Sequence, residues 1–103
     1  MLMGRVAGTV VSTQKDAGLE GYKLLIVQVM DFHMKKTSSY VVAADAIGVG
    51  YDEVVIVVQG SSARLAEHTK GKPVDAAIIA VVETVEIEGE RRYRKFEDEK
   101  AKA

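Results

Sequence analysis

The sequence predicts an all-β fold, a small five-stranded OB-like β-barrel with one short α-helix and a C-terminal hairpin. Three observations carry this prediction. Hydrophobic residues make up 48% of the chain but aromatics only 6%, so the apolar content is mostly Val, Ala, Ile and Leu, which suits a tightly packed sheet. Five β-branched or apolar runs are separated by connections bearing Gly, Asp or Ser. A single short stretch between the fourth and fifth runs has helical rather than strand character.

The first strand starts at Gly4, where Val6, Thr9-Val10-Val11 and Thr13 favour extended backbone and Gly8 permits a bend or bulge. Lys15-Asp16-Ala17-Gly18-Leu19-Glu20-Gly21 reads as a loop returning to a second strand over Lys23 to Met30, apolar enough to be buried on both faces. Asp31 to Ser39 is polar, with a Lys35-Lys36 pair, and reads as the loop before a third strand, Tyr40 to Ala44. Asp45 to Asp52 is a Gly-containing connection to a strongly β-branched fourth strand, Glu53 to Gln59.

Ser61 or Ser62 can then cap a helix of about two turns through Ala63, Leu65, Ala66 and Glu67, stopped by Gly71 and Pro73. The fifth long strand spans Ala76 to Ile87. Glu88-Gly89-Glu90 is a tight turn into Arg91-Arg92-Tyr93-Arg94-Lys95-Phe96, across which Glu83, Glu86 and Glu88 can face the arginines. With no internal repeat or linker, residues 1–96 are expected to form a single barrel domain and 97–103 a charged, frayed tail.

Charge and composition exclude several functional classes. A formal net charge of −1 supplies no global field to gather a polyanion. The lack of cysteine excludes disulfides, thiolate metal sites and a cysteine nucleophile, and is compatible with a reducing cytosol. The N-terminus lacks a signal-like apolar stretch and no run approaches the ~20 apolar residues of a membrane span, so a soluble, cytoplasmic protein with no membrane partner is expected.

Each motif that could carry chemistry has a simpler structural reading. Gly48-Val49-Gly50 is not a dinucleotide fingerprint, because Glu53 stands where its last glycine belongs and a strand follows rather than a helix. Gly60-Ser61-Ser62-Ala63-Arg64 lacks the closing glycine of a nucleophile elbow, and neither His33 nor His68 has the context of a catalytic base. Helix capping is the simpler role for these serines, ahead of an anion site on their amides. His33, His68 and scattered carboxylates make no metal-ligand pattern, and no carboxylate pair stands out for acid–base work. Asp45 and Asp75 flank strands, where they can bond nearby backbone. No catalytic, cofactor-binding or metal residue is therefore expected. Arg91-Arg92-Tyr93-Arg94-Lys95 is the feature that best supports an alternative function, a single-stranded nucleic-acid-binding module, although nearby glutamates can neutralise it.

Several segments occur together in a characteristic order: Gly4-Arg5-Val6-Ala7-Gly8-Thr9-Val10-Val11 with Lys15, Leu19 to Leu25, Asp45-Ala46-Ile47-Gly48-Val49-Gly50, Gly60-Ser61-Ser62-Ala63-Arg64, and Pro73-Val74-Asp75-Ala76. In this the chain resembles the EutN/CcmL family of bacterial microcompartment vertex proteins from Gly4 to about Phe96. The resemblance implies a non-enzymatic homo-oligomer, a cyclic pentamer, with a hexameric state assigned to some members in crystals. It also implies a place at the vertices of a cytoplasmic microcompartment shell beside hexameric shell proteins, with no cofactor. Under that resemblance Gly48, Val49 and Gly50 are expected at a close inter-subunit or axial approach, and Gly60, Ser61, Ser62 and Arg64 at the helix-start corner and an interface. Four departures bear on pore dimensions and interface packing: Val49 where the family often has Ala, Tyr51-Asp52-Glu53 for a Gly-Glu continuation, Ala80 for Gly and Glu83 for Asp.

Overall fold

The structure, a computed structural model of the 103-residue chain, describes residues 1–12, 17–19, 22–65 and 75–95, with the side chains of Ser62 and Arg64 left out of the description. Its strands are β1 (Leu2–Val10), β2 (Lys23–Met30), β3 (Lys36–Asp45), β4 (Val54–Gln59), β5 (Ala76–Val81), β6 (Thr84–Ile87) and β7 (Glu90–Arg94). The first five close into a barrel in the order β1-β2-β3-β5-β4, and β6 and β7 form a separate two-stranded sheet. All barrel pairings are antiparallel except β3 with β5, which meet in parallel at Ala44 and Ala77.

Alternation along the strands fills the barrel. Val6, Leu25, Val27, Ala43, Val55, Val57, Ala76 and Ile78 form one buried cluster, joined by Val49 from the β3–β4 connection. Small and β-branched side chains suit so narrow an interior, where two large aromatics would not fit between facing strands. At Gly4 the approach is closest: an added Cβ would lie 2.6 Å from the Gln28 carbonyl oxygen and would also strike Val27. The predicted irregularity at Gly8 is a bulge, with the register slipping between Val6 and Gly8 as they pass Val27 and Ile26.

Several expected boundaries move. β3 begins at Lys36, inside the expected loop, because Met30 pairs with Lys36 and the Thr37 hydroxyl donates to the Val29 carbonyl (2.8 Å), extending the hairpin past its polar sequence. Burial of β2 on both faces is incomplete in the single chain: Leu25, Val27 and Met30 are buried, whereas Leu24, Ile26, Gln28 and Val29 are half-buried and Lys23 is exposed. The long strand expected over Ala76 to Ile87 is divided at Val82 and Glu83, where the Val82 N–H still bonds the Val54 carbonyl (2.8 Å) before the chain leaves the barrel as β6.

The expected helix start is a 3₁₀ helix, Gly60–Arg64, the tighter form favoured for short pieces. Ser61 and Ser62 lie within it rather than capping it, because the turn begins at Gly60 with φ +64° and the Gly60 N–H bonds the Asp75 carbonyl (2.7 Å). The remainder of that helix, with Gly71 and Pro73, and the 97–103 tail lie outside the described residues.

Candidate functional site

The two glycine-bearing segments spring from one corner of the barrel. β3 ends at Ala44 and Asp45, and Ala44 packs in a small buried cluster with Val58, Ala77 and Ala63 of the 3₁₀ helix. Alanines at three of these four positions let the backbones approach closely, and Ala63 is fully buried. From this corner the 46–53 connection crosses the barrel mouth to the start of β4.

That connection is stapled at both ends by carboxylates. Asp45 is 2% exposed, yet both of its carboxylate oxygens are hydrogen-bonded. Its Oδ1 accepts from the N–H groups of Ile47 (2.8 Å) and Gly48 (3.2 Å), and Oδ2 accepts from Val49 N–H (2.8 Å). Three amides turned onto one carboxylate curl the backbone into a tight turn, and Gly48 completes it at φ +94°, where a Cβ would be strained. At the far end, Gly50 N–H donates to Glu53 Oε1 (3.2 Å), and Asp52 adopts φ +68°. Asp52 N–H bonds the Val6 carbonyl (2.9 Å), and its carboxylate pairs with Arg5 (3.4 Å).

The expected site residues therefore divide. Gly48 and Gly50 are exposed, but the Val49 side chain between them points into the barrel and is 5% exposed, part of the chain's own core. Val49 thus packs within the barrel core, so its bulk relative to Ala is taken up inside the subunit. Gly60 and Ser61 are exposed at the neighbouring corner. Ala44, which precedes the Asp45 turn, and Ala63, which follows Gly60 and Ser61, pack in one buried cluster. Asp45 is the residue that sequence reading underrated: as a strand-flanking Asp it was expected to bond backbone, but the three-fold pattern that fixes the 47–49 turn had no separate signal.

The hairpin lies beside the opposite end of β4. Tyr93 is buried with Met3 and Val54, and Met34, Val82 and Val85 pack around them. The Arg5 guanidinium carbon stands 5.4 Å from the Tyr93 ring centroid, a cation–π distance, and Lys95 pairs with Glu53 (3.4 Å). The basic strip is correspondingly engaged: Arg92 pairs with Glu90 (2.9 Å) and Arg91 approaches Glu86 (4.0 Å). With Tyr93 6% exposed, the one aromatic ring within the strip offers no stacking face to a nucleobase. His33 lies in an exposed turn, and His68 is outside the described residues. Among the described residues no three His, Cys, Asp or Glu side chains gather as a metal site, and no helix is long and apolar enough to cross a membrane.

Residues 1–83 match the family described as "Ethanolamine utilisation protein EutN/carboxysome". The chain is 44% identical over 97 residues to the carboxysome shell vertex protein CcmL of Synechococcus elongatus, covering 94% of this chain and 98% of that protein. The solved structure of Gloeobacter violaceus CcmL superposes with a TM-score of 0.87 at 41% identity, over 93% of this chain and 99% of the other. The GrpN pentameric microcompartment shell protein from Rhodospirillum rubrum superposes with a TM-score of 0.77 at 42% identity, over 84% and 99%. The barrel topology and this near full-length likeness agree, and the chain belongs to the EutN/CcmL family of microcompartment shell vertex proteins.

Proposed function

We propose that the chain assembles as a cyclic pentamer that caps the vertices of a bacterial microcompartment shell, seated among hexameric shell proteins, and that it catalyses no reaction. The observation that carries this reading is the likeness to a pentameric shell protein over 84% of this chain and 99% of that one. The mechanism is geometric. A ring that closes after five copies through one repeated heterologous contact introduces curvature that flat sixfold tiles lack. A rigid subunit is what such a contact needs, and the stapled 45–53 connection and the alanine-packed corner supply rigidity.

Within that reading, residues 1–96 act as one barrel unit. Gly48 and Gly50 lie at a close approach between copies or near the ring axis, with Val49 anchoring them from inside. Gly60, Ser61, Ser62 and Arg64 form a corner at an interface. Co-expressing the chain with hexameric shell tiles tests the reading by electron microscopy. Closed polyhedral particles that become open or elongated when the chain is omitted are the expected outcome. Particles equally closed without it, and with no other vertex protein present, would remove the vertex role.

A further inference from the structure

The two halves of the 46–53 connection are held by different means. The first half owes its shape to Asp45, whose carboxylate gathers the amides of Ile47, Gly48 and Val49, and its left-handed residue is a glycine. The second half carries its left-handed residue at Asp52, with φ +68°. A side chain makes that conformation costly, so neighbouring groups have to hold it. The space beside Gly50 is already taken, since an added Cβ would stand 3.1 Å from Glu53 Oε1.

The groups that hold this second half reach it from β1 and from the C-terminal hairpin. Arg5 Nη1 donates to the Asp52 carbonyl (3.3 Å) and pairs with its carboxylate (3.4 Å), and the same guanidinium lies over the Tyr93 ring of β7. Glu53 reaches both ways: Oε1 accepts from Gly50 N–H (3.2 Å), and Oε2 pairs with Lys95 Nζ (3.4 Å). Lys95 is anchored in turn, its N–H donating to the Glu83 carbonyl (2.8 Å) where the chain leaves the barrel. All four charged side chains are largely buried, which shelters them from screening by salt. The hairpin thus meets the connection through two charged links, although β6 and β7 lie beyond residues 1–83 of the family match.

We propose that the C-terminal hairpin is a latch on residues 50–53. Lys95 positions the Glu53 carboxylate, and through it the Gly50 amide and the backbone that presents Tyr51, which is 77% exposed. A pair that only fastened the hairpin to the barrel would use one carboxylate oxygen; the second oxygen carries the constraint into the connection. The strain at Asp52 favours release, and the charge pairs oppose it. Opening the latch loosens residues 50–53 while the Asp45 turn stays formed. The device lies within one subunit, goes beyond the vertex reading and does not depend on it.

Hydrogen exchange of the full-length chain, followed amide by amide by NMR, tests the latch at a concentration where native mass spectrometry finds parent and variants in one assembly state. Lys95→Met keeps an unbranched apolar stem and removes the charge. It should speed exchange at Gly50 and Asp52 about threefold or more relative to the buried β4 amides, and leave Ile47, Gly48 and Val49 as they were. Lys95→Arg should restore the parent rates. Glu53→Gln keeps an acceptor for Gly50 but loses the ion pair, so it should match Lys95→Met, and combining the two should add nothing further. Arg92→Met breaks a pair within the hairpin and should leave residue 50 untouched. Faster exchange in Lys95→Met that is confined to β6 and β7 would reduce the pair to a fastening of the hairpin and overturn the latch. A uniform rise across the barrel, or unchanged rates at Gly50 and Asp52, would overturn it equally.

Discussion

The two regions at either end of β4 are held by different forces. At its C-terminal end the Asp45 turn and the 3₁₀ corner rely on backbone amides, one buried carboxylate and close alanine packing. At its N-terminal end the hairpin is held by a large ring, Tyr93, beneath Arg5, and by the Lys95–Glu53 pair. The first arrangement defines backbone shape to within hydrogen-bond tolerance, whereas the second clamps an appended element and tolerates adjustment of long side chains. The difference teaches which end can serve as a precise contact between subunits. A repeated angle is set by rigid backbone, whereas a clamp of charged side chains stabilises the subunit.

Perturbing each end separately sharpens the comparison. Tyr93→Ala should have the largest effect, costing about 3 kcal/mol through the cavity it leaves among Met3, Val54 and Val85. In denaturant titration the variant should lose stability, while hydrogen exchange at residues 47–49 stays protected relative to global unfolding. Asp45→Ala should cost about 2–3 kcal/mol by orphaning three amides. It should also weaken assembly, which Tyr93→Ala should affect less. Asp45→Asn retains one acceptor oxygen and should recover part of the loss. Equal assembly defects in the two alanine variants would break the distinction between shape and clamp.

Gly48→Ala should cost about 1 kcal/mol from the positive φ alone, since nothing lies within 4 Å of the added Cβ. An assembly defect larger than that folding cost would place Gly48 at a contact between copies. The smallest effect is expected in acid at the turn preceding β3. Asp31 accepts from Lys35 N–H (3.0 Å) and His33 N–H (2.9 Å). The Lys35 amide bond leads the lowering of its pKa below 3.8, against a desolvation effect that raises it, with the His33 amide and the charges of His33 and Lys35 assisting. The lowered folded value means that the stability this group contributes is fully present above 3.8. It is lost as the pH falls through the lower folded value. An NMR titration should show the Lys35 amide shifting in that window, and Asp31→Asn should abolish the shift.

Much of the barrel was legible because alternation and β-branching report directly on strands. β2 matches its predicted span of Lys23 to Met30, and β4 differs from its prediction by one residue. The bulge beside Gly8 was legible because glycine inside a strand marks broken pairing. The start of β3 was hidden because Lys36 to Ser39 are polar residues on a solvated strand, which sequence alone cannot separate from a loop. The division of the last strand at Val82 and Glu83 was hidden because β-branched residues continue on both sides of it, from Ile78 to Val82 and from Thr84 to Ile87, and the turn is imposed by where the barrel closes.

At the candidate site, the family resemblance singled out Gly48, Val49 and Gly50, and the glycines marked a connection between strands. Sequence did not show that Val49 faces inward, since that follows from three amides converging on Asp45.

Native mass spectrometry of the purified chain, freed of nucleic acid and measured across a range of concentrations, tests the central claim most directly. A closed assembly of five chains is the predicted result, persisting at salt concentrations that screen surface charge. A chain that remains monomeric at high concentration, and does not assemble when hexameric shell tiles are added, would contradict the account.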